Sequence, residues 1–178
     1  VLCINSYDAI KNVDDKLLTF QLVAESIEAV CFPKTLLVTE YTEASFVSKL
    51  FDYPMVMKVM HGSKGKGVVL VNNEKELDNL ISMSTASEIG DQIIIQECIK
   101  ASSGRDLRMI LANGKFVKSF IRQNEKSFRS NLAKGGHIVD YTPPAAVIEA
   151  AEQVAQLLKI NMGSGDLLFD ENDTFYLC

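Results

Sequence analysis

Four groups of residues in this 178-residue chain have types and spacings suited to chemistry. The first is Gly62-Ser63-Lys64-Gly65-Lys66-Gly67, three glycines interleaved with small or cationic residues. Glycines let backbone N–H groups approach an anion closely. The loop departs from Walker A, because Gly67 is followed by Val68 rather than by Lys and Ser, and it does not fit GxGxxG. A plain glycine-rich turn and a phosphate clamp both remain open. The second is Lys58, which interrupts an apolar run. A lysine among core residues calls for an anion, although strand alternation also allows it on a solvent face. The third is the arginines: all four (Arg105, Arg108, Arg122, Arg129) fall between positions 105 and 129. Guanidinium groups suit bidentate contact with carboxylate or phosphate, and surface ion pairing is the alternative. The fourth is Asp166, placed after Gly165 at the start of an apolar strand. Mg2+ takes one or two carboxylates plus phosphate oxygens, and a turn or capping aspartate is the other reading.

These residues need elements to hold them. Leu17, Phe20, Val23, Ala24 and Ile27 recur at helical spacing and predict a helix over residues 13–30, with Asp14 and Asp15 at the positive end of its dipole. Pro33 blocks continuation, and Leu36-Leu37-Val38 reads as a strand. A short helix over 43–51 must finish before Pro54. Residues 55–60 are a strand, 62–67 a loop and 68–71 the return strand, so Lys58 lies just ahead of the glycines. A helix over 74–83 and a strongly apolar strand over 92–97 follow. That strand leaves through Gln96-Glu97-Cys98-Ile99, where backbone groups can meet a planar base such as adenine. Residues 106–112 and 115–121 make a hairpin around Asn113-Gly114. Pro143-Pro144 opens a helix whose core face is Val147, Ala151, Val154 and Leu158. A strand over 165–169, a polar turn at 170–173 and a strand ending at Cys178 close the chain. Hairpins with helices on one face, lacking regular βαβα alternation, predict an α+β architecture. Turn-rich Ala101-Ser102-Ser103-Gly104 marks a boundary near residues 98–104.

Bulk properties narrow the function classes. Apolar residues make up 47% and charged residues 23%, an ordinary globular composition. No apolar stretch approaches the ~18 residues of a membrane span. The start has no basic region ahead of an apolar run, which argues against a signal peptide and, with the thiols, for a cytoplasmic protein. A net charge of −5 argues against general nucleic-acid binding. Cys3, Cys31, Cys98 and Cys178 are too dispersed for a metal or redox pair; each reads as a small buried apolar residue in a reducing compartment. With only His61 and His137, histidine acid–base catalysis is not the natural reading, and His137 is expected as an ordinary loop residue.

Taken in order, these segments resemble the ATP-grasp superfamily, and within it the RimK-type α-L-glutamate ligases. The resemblance is carried by Ile4-Asn5, Asp15-Lys16, Pro54-Met55-Val56-Met57-Lys58 and the loop that follows. It continues through Gln96-Glu97-Cys98-Ile99-Lys100, Gly104-Arg105-Asp106-Leu107-Arg108, Phe128-Arg129-Ser130-Asn131-Leu132, Gly135-Gly136 and Gly165-Asp166. It implies two α+β lobes clasping ATP. Residues 1–33 are then the end of a preceding domain and a linking helix, 34–98 the small lobe and 99–178 the large lobe. By the same resemblance Lys16 and Lys58 contact phosphates, and Gly62, Ser63, Lys64, Gly65 and Gly67 close over the triphosphate. Glu97, Cys98 and Ile99 form a hinge around adenine, and Asp106 holds the ribose. Arg129, Ser130 and Asn131 match a segment bordering the nucleotide and acceptor. Arg122 matches an arginine near the transferred phosphate, and Asp166 matches the first magnesium carboxylate. Lys58, Arg122 and Arg129 are thereby the implied catalytic residues, with ATP and Mg2+, or Mn2+ in its place, as cofactors.

The implied reaction is ATP-dependent ligation of a glutamate-like amino acid to a protein terminus or a small molecule, in a homo-oligomer without nucleic-acid or membrane partners. A nucleotide-binding module without turnover is the rival. The family's second metal motif, Glu-x-Asn, would follow directly after Cys178, and most of the preceding domain is absent. The sequence is therefore expected to be part of a longer chain; an intact mass near 19.7 kDa would contradict that.

Overall fold

The computed structural model describes residues 3–61, 67–86, 92–130, 132 and 135–178. Two compact units divide the chain: Pro33–Cys98 is one, and Val1–Phe32 with Ile99–Cys178 is the other. Each is a mixed α+β body, as the pattern of hairpins and helices predicts.

The chain opens with two helices, α1 (Tyr7–Asp14) and α2 (Lys16–Ser26), where helical spacing predicts one. Asp15 makes the break. Its backbone is extended, and its side chain accepts a hydrogen bond from the N–H of Leu18 at 2.9 Å, so it caps α2 instead of continuing α1. Ser6 caps α1 in the same way through the N–H of Ala9.

Unit Pro33–Cys98 contains β1 (Thr35–Val38), α3 (Ala44–Leu50), β2 (Met55–Val59), β3 (Val68–Val71), α4 (Glu74–Ala86) and β4 (Ile93–Glu97). The strands form an antiparallel sheet in the order β1-β4-β2-β3. Met55, Met57, Ile93 and Ile95 alternate onto one face and pack with Val47 of α3, with Phe51 just beyond it, and with Leu77 and Ile81 of α4. Alternation sends Lys58 to the other face, in register with Val68 and Ile94.

The second unit adds a 3-10 turn at Lys100–Ser102, then β5 (Arg105–Ala112), β6 (Lys115–Gln123), β7 (His137–Asp140), α5 (Ala145–Leu157), β8 (Met162–Phe169) and β9 (Phe175–Leu177). Its antiparallel sheet runs β7-β6-β5-β8-β9. Asn113 (φ 52°) and Gly114 (φ 68°) both lie in the left-handed region, the type I′ geometry that joins β5 to β6. Leu107, Met109 and Leu167 fill the helix-covered face, against Val147, Ile148 and Ala151 of α5. Val23 and Ile27, from α2 and the residue after it, pack with Leu158 beyond the end of α5.

Two further expectations fail here. None of the cysteines is buried: Cys3, Cys31 and Cys178 are exposed and Cys98 is half-buried. They sit near chain ends and element junctions, where no core forms around them. His137 is not in a loop but opens β7, an edge strand exposed along its whole length. Gly135-Gly136 signals a loop, and Ile138-Val139 shows no alternation. The strand is held instead by backbone pairing with β6, from Gln123↔His137 to Phe120↔Asp140, and by the Lys118–Asp140 ion pair at 3.1 Å.

Candidate functional site

The sheet face opposite α5 carries the charge. Along β5 the sequence Asp106-Leu107-Arg108-Met109 alternates, so Leu107 and Met109 enter the core while Asp106 and Arg108 share the other face. Register then places a complementary charge opposite each: Asp106 faces Arg122 on β6, and Arg108 faces Asp166 on β8. Arg108 forks onto Asp166, with Nε donating to Oδ1 at 2.8 Å and Nη2 to Oδ2 at 2.7 Å. Arg122 makes the same fork on Asp106, with Nε donating to Oδ1 at 2.7 Å, and its Nη2 also reaches across β5 to Asp166 Oδ2 at 2.9 Å. Ser130 Oγ donates to Asp106 Oδ2 at 2.6 Å. Ser130, Asp106, Arg122, Asp166 and Arg108 are thus one chain of charge-assisted hydrogen bonds.

Its centre is dry. Arg122 and Asp106 are 7% and 8% exposed. Burial by itself would lower the pKa of the Arg122 guanidinium, but its bonds to Asp106 and the charge of Asp166 outweigh that and hold it above its ordinary value. The two aspartates and two arginines sum to zero charge, which is how such groups tolerate a poorly hydrated place.

Ser130 reaches Asp106 because of Gly104. The N–H of Gly104 donates to Phe128 O at 2.8 Å, and its own carbonyl accepts from Asn124 N at 2.7 Å, tying residues 124–130 to the start of β5. Gly104 has φ 75°, and a Cβ there would overlap the backbone oxygens of Asn124 and Ser127. Only glycine fits.

The remaining sequence-predicted residues are placed as follows. Lys58 is 8% exposed on β2. Glu97 ends β4, and its Oε1 accepts from Lys34 N at 2.7 Å. Cys98 and Ile99 follow it, both half-buried. Lys16 is the first residue of α2 and, with Asp166, lines an otherwise mostly apolar cavity of about 220 Å³. The Arg129 guanidinium lies over the Phe128 ring at 5.2 Å. Gly67 directly precedes β3. Gly62, Ser63, Lys64, Gly65 and Asn131 lie outside the described residues.

One network member had no role in the sequence reading. Arg108 stands among the four clustered arginines and in the Gly104–Arg108 segment of the resemblance without a role of its own; the usable signal is its i, i+2 spacing from Asp106 on a predicted strand, which puts both on one face. For a divalent cation, the described residues offer no group of three or more His, Cys, Asp or Glu side chains. Asp166 supplies one hard carboxylate oxygen donor, which fits a cation whose other ligands are phosphates and waters.

Residues 13–178 match the family described as the RimK-like ATP-grasp domain. A probable alpha-L-glutamate ligase of Syntrophotalea carbinolica is 30% identical over 94% of this chain and 55% of its own length. Another, from Maridesulfovibrio salexigens, is 32% identical over 94% of this chain and 55% of its length. The chain therefore spans about half the length of these curated relatives. Among solved structures, a D-alanine–D-alanine ligase from Bacillus anthracis superposes with a TM-score of 0.75 at 17% identity, covering 98% of this chain and 58% of that one, a likeness of fold.

Proposed function

The chain belongs to the RimK-like ATP-grasp family, and from that we propose that it acts as an ATP-dependent carboxylate–amine ligase, joining a glutamate-like amino acid to an amine or carboxylate acceptor. A substrate carboxylate oxygen attacks the γ-phosphorus of ATP, the bond to ADP breaks, and an acyl phosphate results. An amine then attacks the acyl carbon and phosphate leaves with one of the original carboxylate oxygens. The protein's share is positioning and charge stabilisation, so no Ser-His-Asp or Cys-His set is required.

The observation that carries this reading is the Ser130–Asp106–Arg122–Asp166–Arg108 network on the sheet face opposite α5. Four of its five residues lie on strands, and each guanidinium fork is aimed by its carboxylate, so the groups are held before any substrate arrives. Arg122 stabilises charge on the transferred phosphate, and Asp106 fixes that arginine in addition to its implied contact with ribose. Lys58 and Lys16 neutralise phosphates. Asp166 is the carboxylate ligand for Mg2+, which when bound supplies Lewis-acid stabilisation of the phosphate oxygens.

The test is a screen for ADP release with paired amino-acid donors and acceptors in the presence of Mg2+. The proposal expects release only when both a carboxylate and an amine are supplied. ATP binding without acceptor-stimulated release under any pairing would favour a binding module instead.

A further inference from the structure

We propose that Arg108 restricts Asp166 to a single open oxygen position and thereby biases its cation site toward Mg2+ and against Ca2+. This rests on the reading of Asp166 as a carboxylate ligand of the nucleotide's divalent cation. An ionised carboxylate offers about four lone-pair positions. Arg108 Nε takes one on Oδ1 at 2.8 Å, and Arg108 Nη2 takes one on Oδ2 at 2.7 Å. Arg122 Nη2 takes the second on Oδ2 at 2.9 Å. Among the described residues no other donor reaches either oxygen, so the one position left is on Oδ1.

A carboxylate held this way meets a cation through one oxygen. That suits Mg2+, which is small, demands near-octahedral geometry and takes one or two carboxylates among waters and phosphates. Ca2+ gathers six to eight oxygens and gains from bidentate carboxylates. The lock is built into the sheet, because Arg108 and Asp166 are direct partners in the β5–β8 register. Arg108 is also the replaceable half of the clamp: its side chain is 33% exposed, against 8% for Arg122. It is a positioning residue, acting through Asp166.

The experiment titrates Mn2+ into the protein with ADP, reading free Mn2+ by electron paramagnetic resonance, and then displaces it with Ca2+. Arg108→Gln, Arg108→Lys and Asp166→Asn are compared with the parent, each checked for cooperative unfolding. Removing a guanidinium changes affinity for both ions through charge, and their ratio cancels that part. The Ca2+ needed for half-displacement should fall by about tenfold in Arg108→Gln, the size of one charge-assisted hydrogen bond. Arg108→Lys, which keeps the charge but loses the fork, should follow it, and it carries the same comparison if Arg108→Gln does not fold. An unchanged Ca2+/Mn2+ ratio in these variants, with Asp166→Asn abolishing Mn2+ binding, overturns the selectivity role and leaves the ligase reading standing. Mn2+ binding that survives Asp166→Asn overturns both the premise and the proposal.

Discussion

Arg122 donates three hydrogen bonds to two aspartates from a position only 7% exposed. Replacing it by Gln would leave Asp106 buried without its counter-charge. The expected loss is about 3–5 kcal/mol of unfolding free energy, the range for breaking a buried pair from one side. Denaturant titration measures it. Arg108→Gln, at the exposed end, should cost no more than about 1 kcal/mol in the same assay, as partly exposed pairs do. A similar loss for both would mean that burial does not grade the network as described. At this scale the sequence disclosed the cast but not the pairing. Four arginines between 105 and 129 were plain, and so was Asp166. That Arg108 pairs with Asp166, and Arg122 with both aspartates, follows from strand register, and partners 58 and 44 residues apart leave no local trace.

The β5–β6 hairpin and α5 are joined by Glu152, whose Oε2 accepts from Lys115 Nζ at 2.7 Å and whose Oε1 accepts from Phe116 N at 2.9 Å. The Lys115 hydrogen bond, followed by that from Phe116, holds the Glu152 carboxyl below its ordinary pKa against a smaller opposing effect of burial. A carboxyl depressed in the folded state stabilises above its unfolded value and loses that contribution as the pH falls through the folded one. The stability gap between parent and Glu152→Gln should therefore be constant near neutrality and close as the pH drops from about 4.3 through the lower folded value. A gap that widens on acidification would refute the linkage. The turn above it gives a second check. Gly114→Ala keeps φ at 68° where an L-residue is strained and sets a Cβ 3.3 Å from Gln156 Cγ, so a loss of roughly 1–2 kcal/mol is expected. Gly104→Ala must cost more, since backbone oxygens cannot yield, and it should also weaken nucleotide binding by releasing Ser130 from Asp106. Equal stability losses at the two glycines would contradict that ranking. Hairpin and turn were legible because Asn-Gly encodes them locally. The break at Asp15 and strand β7 were not: one depends on a cap outcompeting an apolar periodicity, the other on pairing supplied by β6.

At the level of the whole chain, the α+β class and the order of chemistry-bearing segments could be read from the sequence, and the family match over residues 13–178 agrees with them. The exposure of the cysteines could not, because residue type records an average preference and not a place in the fold. What the proposed ligase joins depends on groups that recognise donor and acceptor, and the role proposed for the network concerns only the phosphate end of the reaction. The central claim is that an acyl phosphate lies on the path, and it has a direct readout. A donor carboxylate labelled with oxygen-18, in a pairing that releases ADP, should transfer one labelled oxygen to inorganic phosphate for each amide formed, as mass spectrometry of the phosphate would register. Amide formation with unlabelled phosphate, or label recovered in AMP, would contradict the account.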